Sequence, residues 1–336
     1  MAFTPNQVHL DVPLTNLTVA QLQSDENFIA DKVFPTVTVD KQSDKYYVWP
    51  RGQFNRVGDV KKLAPGIATE TVTMEVSNDN YFAEVYGLGM TFTEQMLANV
   101  DTQLNVRMAG STLLANRMRL KREVDWISTY FTTGVWTTEY RGVAATPAAG
   151  QVIQWDNYAN STPIRDVTTA KTAMFLASGG SASYNDIVGV MTQDVYDVLI
   201  NHPDIIARLN GGATVTNTAL VTKAKLAEVL GVAEILIPRA VQNTGKEGLA
   251  EVNGFVATKR FALYSRPKAA GLMVPASGYN FAWDAGAGAG YGLRVNSYTG
   301  EHLAIQHIAE KIEVLMSYDM KVISGDMGVY FDSIIS

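Results

Sequence analysis

The chain has 336 residues, 47% of them hydrophobic, enough to bury a sizeable core in one large unit or two subdomains and too apolar for a chain that is mainly disordered. Its 33 acidic and 27 basic residues give a formal charge of -6, which argues against a dedicated nucleic-acid-binding domain of strongly basic balance. With 0 Cys it has no disulfide framework, thiolate nucleophile or cysteine-based metal site.

No run approaches the ~18 consecutive apolar residues of a membrane helix, and Met1-Ala2-Phe3-Thr4-Pro5 lacks the regions of a signal peptide, so a soluble protein made in the cytoplasm is expected. Residues 1–17 carry few signals of regular structure and read as an extended arm. The Thr18 hydroxyl can cap a short helix that ends before Val33-Phe34-Pro35 restores extended chain.

From 36 to 93 the pattern is β. Residues 69–77 alternate, with Ala68, Glu70, Val72, Met74 and Val76 on one face. Neither face is fully apolar, so this strand is expected to face solvent or pair with another chain. A second run over 81–86 comes after the turn signal Ser77-Asn78-Asp79-Asn80, which predicts a long hairpin. Between Trp49 and Gly66 lies a polar, basic stretch with Arg51, Arg56, Lys61 and Lys62, punctuated by Gly52, Gly58 and Pro65. A loop of that length in a compact domain calls for a function.

The longest helical signal covers 93–132, with Thr93 as candidate cap. Leu104, Met108, Ser111, Ala115, Met118 and Arg122 recur at spacings of three and four, and Arg107, Arg117, Arg119 and Lys121 occupy other faces. At ~1.5 Å per residue, even ~25 residues span close to ~38 Å, which suits a strut. Gly134 and the cluster Tyr130, Phe131 and Trp136 close it.

Residues 144–162 read as a connection, and 163–177 as a helix capped by Thr162 or Asp166 and stopped at Ser178-Gly179-Gly180. A buried strand over 186–192, a helix over 193–209 interrupted near Pro203, a helix over 222–230 and a strand over 234–238 predict an α/β layer. The last third is mostly β, at 255–257, 261–264, 311–317 and 321–323, with a final apolar run Val329-Tyr330-Phe331. No internal repeat is visible.

This order of arm, long hairpin loop, strut helix, α/β layer and terminal strands resembles the tailed double-stranded-DNA bacteriophage major capsid protein family. The strings that carry the resemblance are 190–206 (Val-Met-Thr-Gln-Asp-Val-Tyr through His202-Pro203-Asp204), 230–239, the arm string 27–35 and Phe131-Thr132-Thr133-Gly134-Val135-Trp136. The resemblance implies an α+β fold with an N-arm at 1–44, a long β-hairpin E-loop at 45–90, a P domain with a spine helix at 91–180, an A domain at 181–305, and C-terminal strands at 306–336 returning to the P domain. It also implies a subunit that self-assembles as hexamers and pentamers into an icosahedral head around phage DNA. A nanocompartment shell of the same fold is the alternative. No scaffolding segment precedes the arm, so a separate scaffolding protein is implied, with portal and decoration proteins as further partners. The implied location is the virion, after assembly in the host cytoplasm. No cross-link is expected.

Nothing in the chain points to an enzyme, and no catalytic, cofactor-binding or metal residue is assigned. The run from Gly286 to Gly292 is the most tempting motif, but a dinucleotide fingerprint needs a helix after its glycines, and Leu293-Arg294-Val295-Asn296 reads as a strand. His9, His202, His302 and His307 are scattered, with His202 read as part of a helix break. Glu310 and Glu313 read as a solvated face. A nucleotide-binding enzyme and a tail or decoration protein are the readings from other classes.

Contacts between copies are expected from the loop, with Trp49, Phe54, Tyr81 and Phe82 as apolar anchors and Arg51, Arg56, Lys61 and Lys62 as charge partners. The arm is expected to dock on a neighbour through Phe28, Ile29 and Phe34. Arg117, Arg119 and Arg122 are expected to meet acidic residues of a neighbour's loop in preference to contacting packaged DNA without reading its sequence.

Overall fold

A computed structural model describes residues 23–48, 51–63, 65–66, 68–69, 71–98, 106–209, 221–246, 248–267, 274–283, 294–299 and 308–336. In chain order these form α1 (Ala30–Val33), β1 (Thr36–Val39), β2 (Ser43–Val48), α2 (Arg51–Phe54), β3 (Ser77–Phe82), β4 (Glu84–Thr93), α3 (Glu94–Ala98) and α4 (Val106–Tyr130). Next come β5 (Thr138–Val143), β6 (Gln151–Ile153), α5 (Pro163–Ala177), β7 (Ile187–Met191), α6 (Gln193–Ile200), α7 (Pro203–Leu209), α8 (Lys223–Leu230) and β8 (Glu234–Leu236). The remaining strands are β9 (Val241–Asn243), β10 (Asn253–Phe255), β11 (Phe261–Ser265), β12 (Gly278–Trp283), β13 (Arg294–Thr299), β14 (Ile308–Val322) and β15 (Gly328–Asp332). No helix among the described residues is long and apolar enough to cross a membrane.

A six-stranded sheet in the order β6-β5-β15-β11-β7-β8 divides the core. Successive side chains of a strand point to opposite faces. Phe261 and Leu263 therefore join the cluster with Val167, Met174, Leu199 and Leu226 of the helices on one face. Ala262 and Tyr264 meet Phe34, Trp126 and Phe131 on the other. Within this sheet β15 runs parallel to β5, and the two are close enough to exclude a side chain at Gly142. A Cβ there would lie 2.1 Å from the Ser333 carbonyl oxygen. Gly142→Ala is accordingly expected to lose several kcal/mol of stability, roughly the upper range for single substitutions, read as a lowered midpoint in urea.

The second sheet is built on β14, which pairs antiparallel with β4 and β13 over its earlier part and with β12 over its last residues, with β1 parallel to β12 at the edge. Its 15 residues replace the two short runs expected at 311–317 and 321–323. The strand changes partner between Tyr318, still on β4, and Asp319, already on β12, while the alternation of buried Ile312, Val314, Met316, Tyr318 and Met320 continues through the switch.

Other expectations are corrected in detail. Among the described residues of the strand expected over 69–77, only Ser77 is in a strand, and the hairpin pairs β2 with β3, so residues 77–80 lie in a strand and make no turn. The connection 144–162 contains β6. The 93–132 signal resolves into α3 and α4, with Leu104 outside the described residues. Thr93 does cap, its Oγ1 accepting the Met96 N–H at 3.2 Å. The buried face of α4 is Gly110, Leu114, Met118, Glu123, Trp126 and Ile127, rotated from the predicted stripe, and Met108 is exposed. Helix α5 has the expected bounds, with Pro163 supplying the fixed φ that suits a first turn. Neither Thr162 nor Asp166 caps its backbone by side chain. Thr162 donates to Asp166, which also accepts the Trp155 indole N–H at 3.1 Å. Thr18 lies outside the described residues, and ahead of β1 the described part of the arm holds a short turn at Asp25–Asn27 and the single helical turn α1.

His202 sits in the break between α6 and α7, fully buried. Its Nδ1 accepts the Asp204 N–H at 3.2 Å, which leaves Nε2–H to donate to Ser161 Oγ at 2.9 Å, and Ser161 donates on to the Asn157 carbonyl at 2.7 Å. The ring is thus the cap of α7 in its neutral form, and burial lowers its pKa from the usual 6.5. Protonation would take the acceptor from Asp204. A base held neutral by folding loses stability as pH falls through its unfolded value, so the contribution of His202 to the midpoint of thermal unfolding should drop between about pH 7 and 5.5, read against carboxyls whose raised values act in the opposite sense. In His202→Asn, whose side-chain oxygen can cap without titrating, that drop should shrink.

Candidate assembly surface

Hairpin β2/β3 stands on the second sheet through its aromatic residues. Tyr46 and Tyr81 both stack on Phe281 of β12, at 5.4 and 4.7 Å between ring centroids. Tyr46 donates to Asp79 at 2.9 Å across the hairpin, and burial together with that carboxylate raises its pKa. At the base, Asp319 accepts the Phe82 N–H at 2.8 Å. Burial raises the Asp319 carboxyl, while that N–H and Lys321 oppose the shift. The backbone crosses to β4 at Ala83, fully buried.

Beyond this footing little among the described residues covers the loop. Phe54, Val57, Val60, Leu63, Val72, Met74 and Val76 are all exposed, Val57 and Val60 at 76% and 80%. Arg56, Lys61 and Lys62 are exposed beside them. The loop tip touches the body where Asn55 donates to the Gly179 carbonyl at 2.6 Å. Scattered exposed apolar residues are ordinary, but seven on one projecting segment form a surface suited to a protein partner.

The expected contact residues separate into two groups. Phe54, Arg56, Lys61, Lys62 and Phe82 are presented to solvent, as is Arg117, which makes no ion pair among the described residues. Arg51 opens α2, and Trp49 lies outside the described residues. Tyr81, Ile29 and Phe34, by contrast, are 6%, 1% and 0% exposed and fill their own chain's core, and Phe28 is half-buried. They cannot also be anchors on a neighbour. Arg119 and Arg122 pair with Asp25 and Asp31 of the arm, so they hold the chain's own N-terminal segment to α4 and are not presented to another copy's loop.

The arm is fastened at further points. Glu123 of α4 accepts the Ile29 and Ala30 N–H groups, each at 2.9 Å. Gln23 and Val241 exchange two hydrogen bonds, and Arg266 donates to the Lys32 carbonyl at 2.6 Å. Sequence patterning missed Glu123 because a glutamate on a helix reads as solvent-facing. Its signal was available only in the interruption it makes in an otherwise apolar stripe.

The remaining chemical candidates come to little. The run 286–292 and His9, His302 and His307 lie outside the described residues, while β13 is the strand expected after the glycines. Glu310 is 6% exposed and paired with Arg107, and Glu313 pairs with Lys311, which corrects the reading of a solvated face. Among the described residues no group of acidic or histidine side chains is placed to hold a metal.

A long helix crossing beneath a sheet, a projecting hairpin with an exposed apolar loop and an α/β layer define the class of tailed-phage capsid folds. In sequence and in fold the chain is similar to tailed-phage major capsid proteins. It is 25% identical over 243 residues, 71% of each chain, to the major capsid protein of Pseudomonas phage JBD67. In fold it is similar to a phage-related protein from Bordetella bronchiseptica (TM-score 0.62, 16% identity, 96% of this chain and 97% of that one). It is similar also to the mature capsid of bacteriophage PhiM1 (0.55, 11%, 98% of each). The SrpI encapsulin complex of Synechococcus elongatus shares the fold too (0.53, 10%, 97% and 95%). No family model matches the sequence.

Proposed function

We propose that the protein is a structural subunit, not an enzyme, that tiles copies of itself as hexamers and pentamers into a closed icosahedral head enclosing phage double-stranded DNA. The observation that carries this is the loop between β2 and β3, footed on the sheet, whose apolar residues Phe54, Val57, Val60, Leu63, Val72, Met74 and Val76 are left uncovered by the described residues. A shell needs heterologous contacts, one surface fitting a different surface on the next copy. The apolar residues of the loop supply one such surface, and Arg56, Lys61 and Lys62 supply charges that fix register. Many modest contacts then act together once a subunit is held at several places.

The capsid relatives and fold neighbours support this reading. Residence in the virion after assembly in the host cytoplasm follows from it, as do a separate scaffolding protein, a portal, decoration proteins and non-specific contact with the genome. So does the division into an arm at 1–44, an E-loop at 45–90, a P domain at 91–180, an A domain at 181–305 and terminal strands at 306–336. Negative-stain microscopy of the purified protein should show polyhedral shells; tubes or persistent monomers would refute it. The encapsulin neighbour favours a second reading, a protein-storing nanocompartment. Nuclease-resistant DNA in native particles supports the head, and a co-purifying enzyme the compartment.

A further inference from the structure

Glu123 is 1% exposed on the inner face of α4. Its Oε2 accepts both leading N–H groups of α1, while Oε1 has no hydrogen-bond partner among the described residues. Three positions further along the helix the indole N–H of Trp126, also buried, lacks an acceptor. A neutral carboxyl suits such a place, because one oxygen can carry the proton while the other accepts. A carboxylate does not, since Phe34, Trp126 and Ile127 make the surroundings apolar and no cation bonds to it.

The groups around it come from several elements. The arm contributes Asp31, whose charge acts on it, and its own helix contributes Arg122, paired with Asp31, and Arg119 one turn earlier, paired with Asp25. From the six-stranded sheet come Tyr264, within the same cluster, and Arg266, which binds the Lys32 carbonyl and pairs with Glu234. Burial acts most strongly on the carboxyl and Asp31 adds to it, against the two N–H groups and Arg122. The net effect is a rise from 4.5 to about 7.

We propose that Glu123 is a proton-operated latch for the arm: while protonated it holds residues 28–34 on α4, and on losing the proton it lets them lift away. Lifting gives the carboxylate access to water, so the docked arm binds the proton more tightly than the free one. For an acid whose value is raised on docking, the contribution to docking is complete below about 4.5 and is lost as pH rises through about 7. Docking then weakens by up to tenfold per pH unit within that window. This device acts within one chain and is independent of the shell reading.

Hydrogen–deuterium exchange of the full-length protein, corrected for the intrinsic rate at each pH, tests it over residues 28–34 between pH 5 and 8. Protection should fall at least tenfold across the range in the wild type and stay level in Glu123→Gln, which keeps an acceptor and cannot ionise. In Asp31→Asn the fall should persist with its midpoint moved to lower pH, because a like charge has been removed. Trp126 fluorescence should track the same midpoints, since its ring touches Phe34 of the arm. A level wild-type profile, an unchanged fall in Glu123→Gln or loss of the fall in Asp31→Asn would each overturn the latch. Should Glu123→Gln fail to fold, the midpoint shift in Asp31→Asn decides alone.

Discussion

Removal of residues 51–64 should yield subunits that fold and melt within a few degrees of the wild type and yet form no shells. The segment contributes α2 and irregular chain, and its apolar residues lie on the surface of the isolated subunit, so little core is lost. The footing stays, because Tyr46 and Tyr81 keep their stack on Phe281. The loss is confined to the surface of Phe54, Val57, Val60 and Leu63. If each of these buries its side chain against a neighbour, it amounts to about 1.5–3 kcal/mol per residue per contact, repeated at every interface. Size-exclusion chromatography and electron microscopy read the outcome, and normal particles from the variant would refute the role given to the loop.

The second large effect falls on the arm. Phe34→Ala should destabilise the isolated subunit by about 3–5 kcal/mol, measured by urea unfolding, the usual cost of truncating a buried aromatic side chain. Phe34 is fully buried, with Trp126 at 5.9 Å edge-on, Tyr130 at 5.2 Å and Tyr264 at 6.5 Å around its ring. The ring also occupies the space over Gly278, where a Cβ would come within 2.5 Å of it. An arm docked only on neighbouring copies would leave the subunit's own stability unchanged and weaken particles alone. The two arrangements are therefore separated by one unfolding curve.

Phe34 shows why the sequence was legible in part. Helix α5 could be read because Pro163 opens it and two glycines with positive φ, Gly179 and Gly180, close it, all local signals. Strands β7 and β11 could be read because they are buried on both faces and so uniformly apolar. Which partner an apolar residue meets is not a local property, and Ile29, Phe34 and Tyr81 carry the same pattern whether they pack on their own sheet or on another copy. The buried face of α4 was misread for a related reason, since Glu123 is stabilised there by N–H groups nearly a hundred residues away. The alternation at 69–77 is real, yet among the described residues 71–76 form no strand and only Ser77 is paired. The loop's exposure was the part of the site that sequence did reveal, through its length, its breakers and its basic residues.

Strand β15 lies inside the six-stranded sheet, hydrogen-bonded to β5 on one side and β11 on the other. Its partners are synthesised earlier, β5 by nearly two hundred residues. A nascent polypeptide that has not yet delivered residues 328–332 therefore has a gap through the middle of its main sheet, and both clusters on either face stay open. Folding must wait for translation to reach that point, as it does wherever distant segments close a fold.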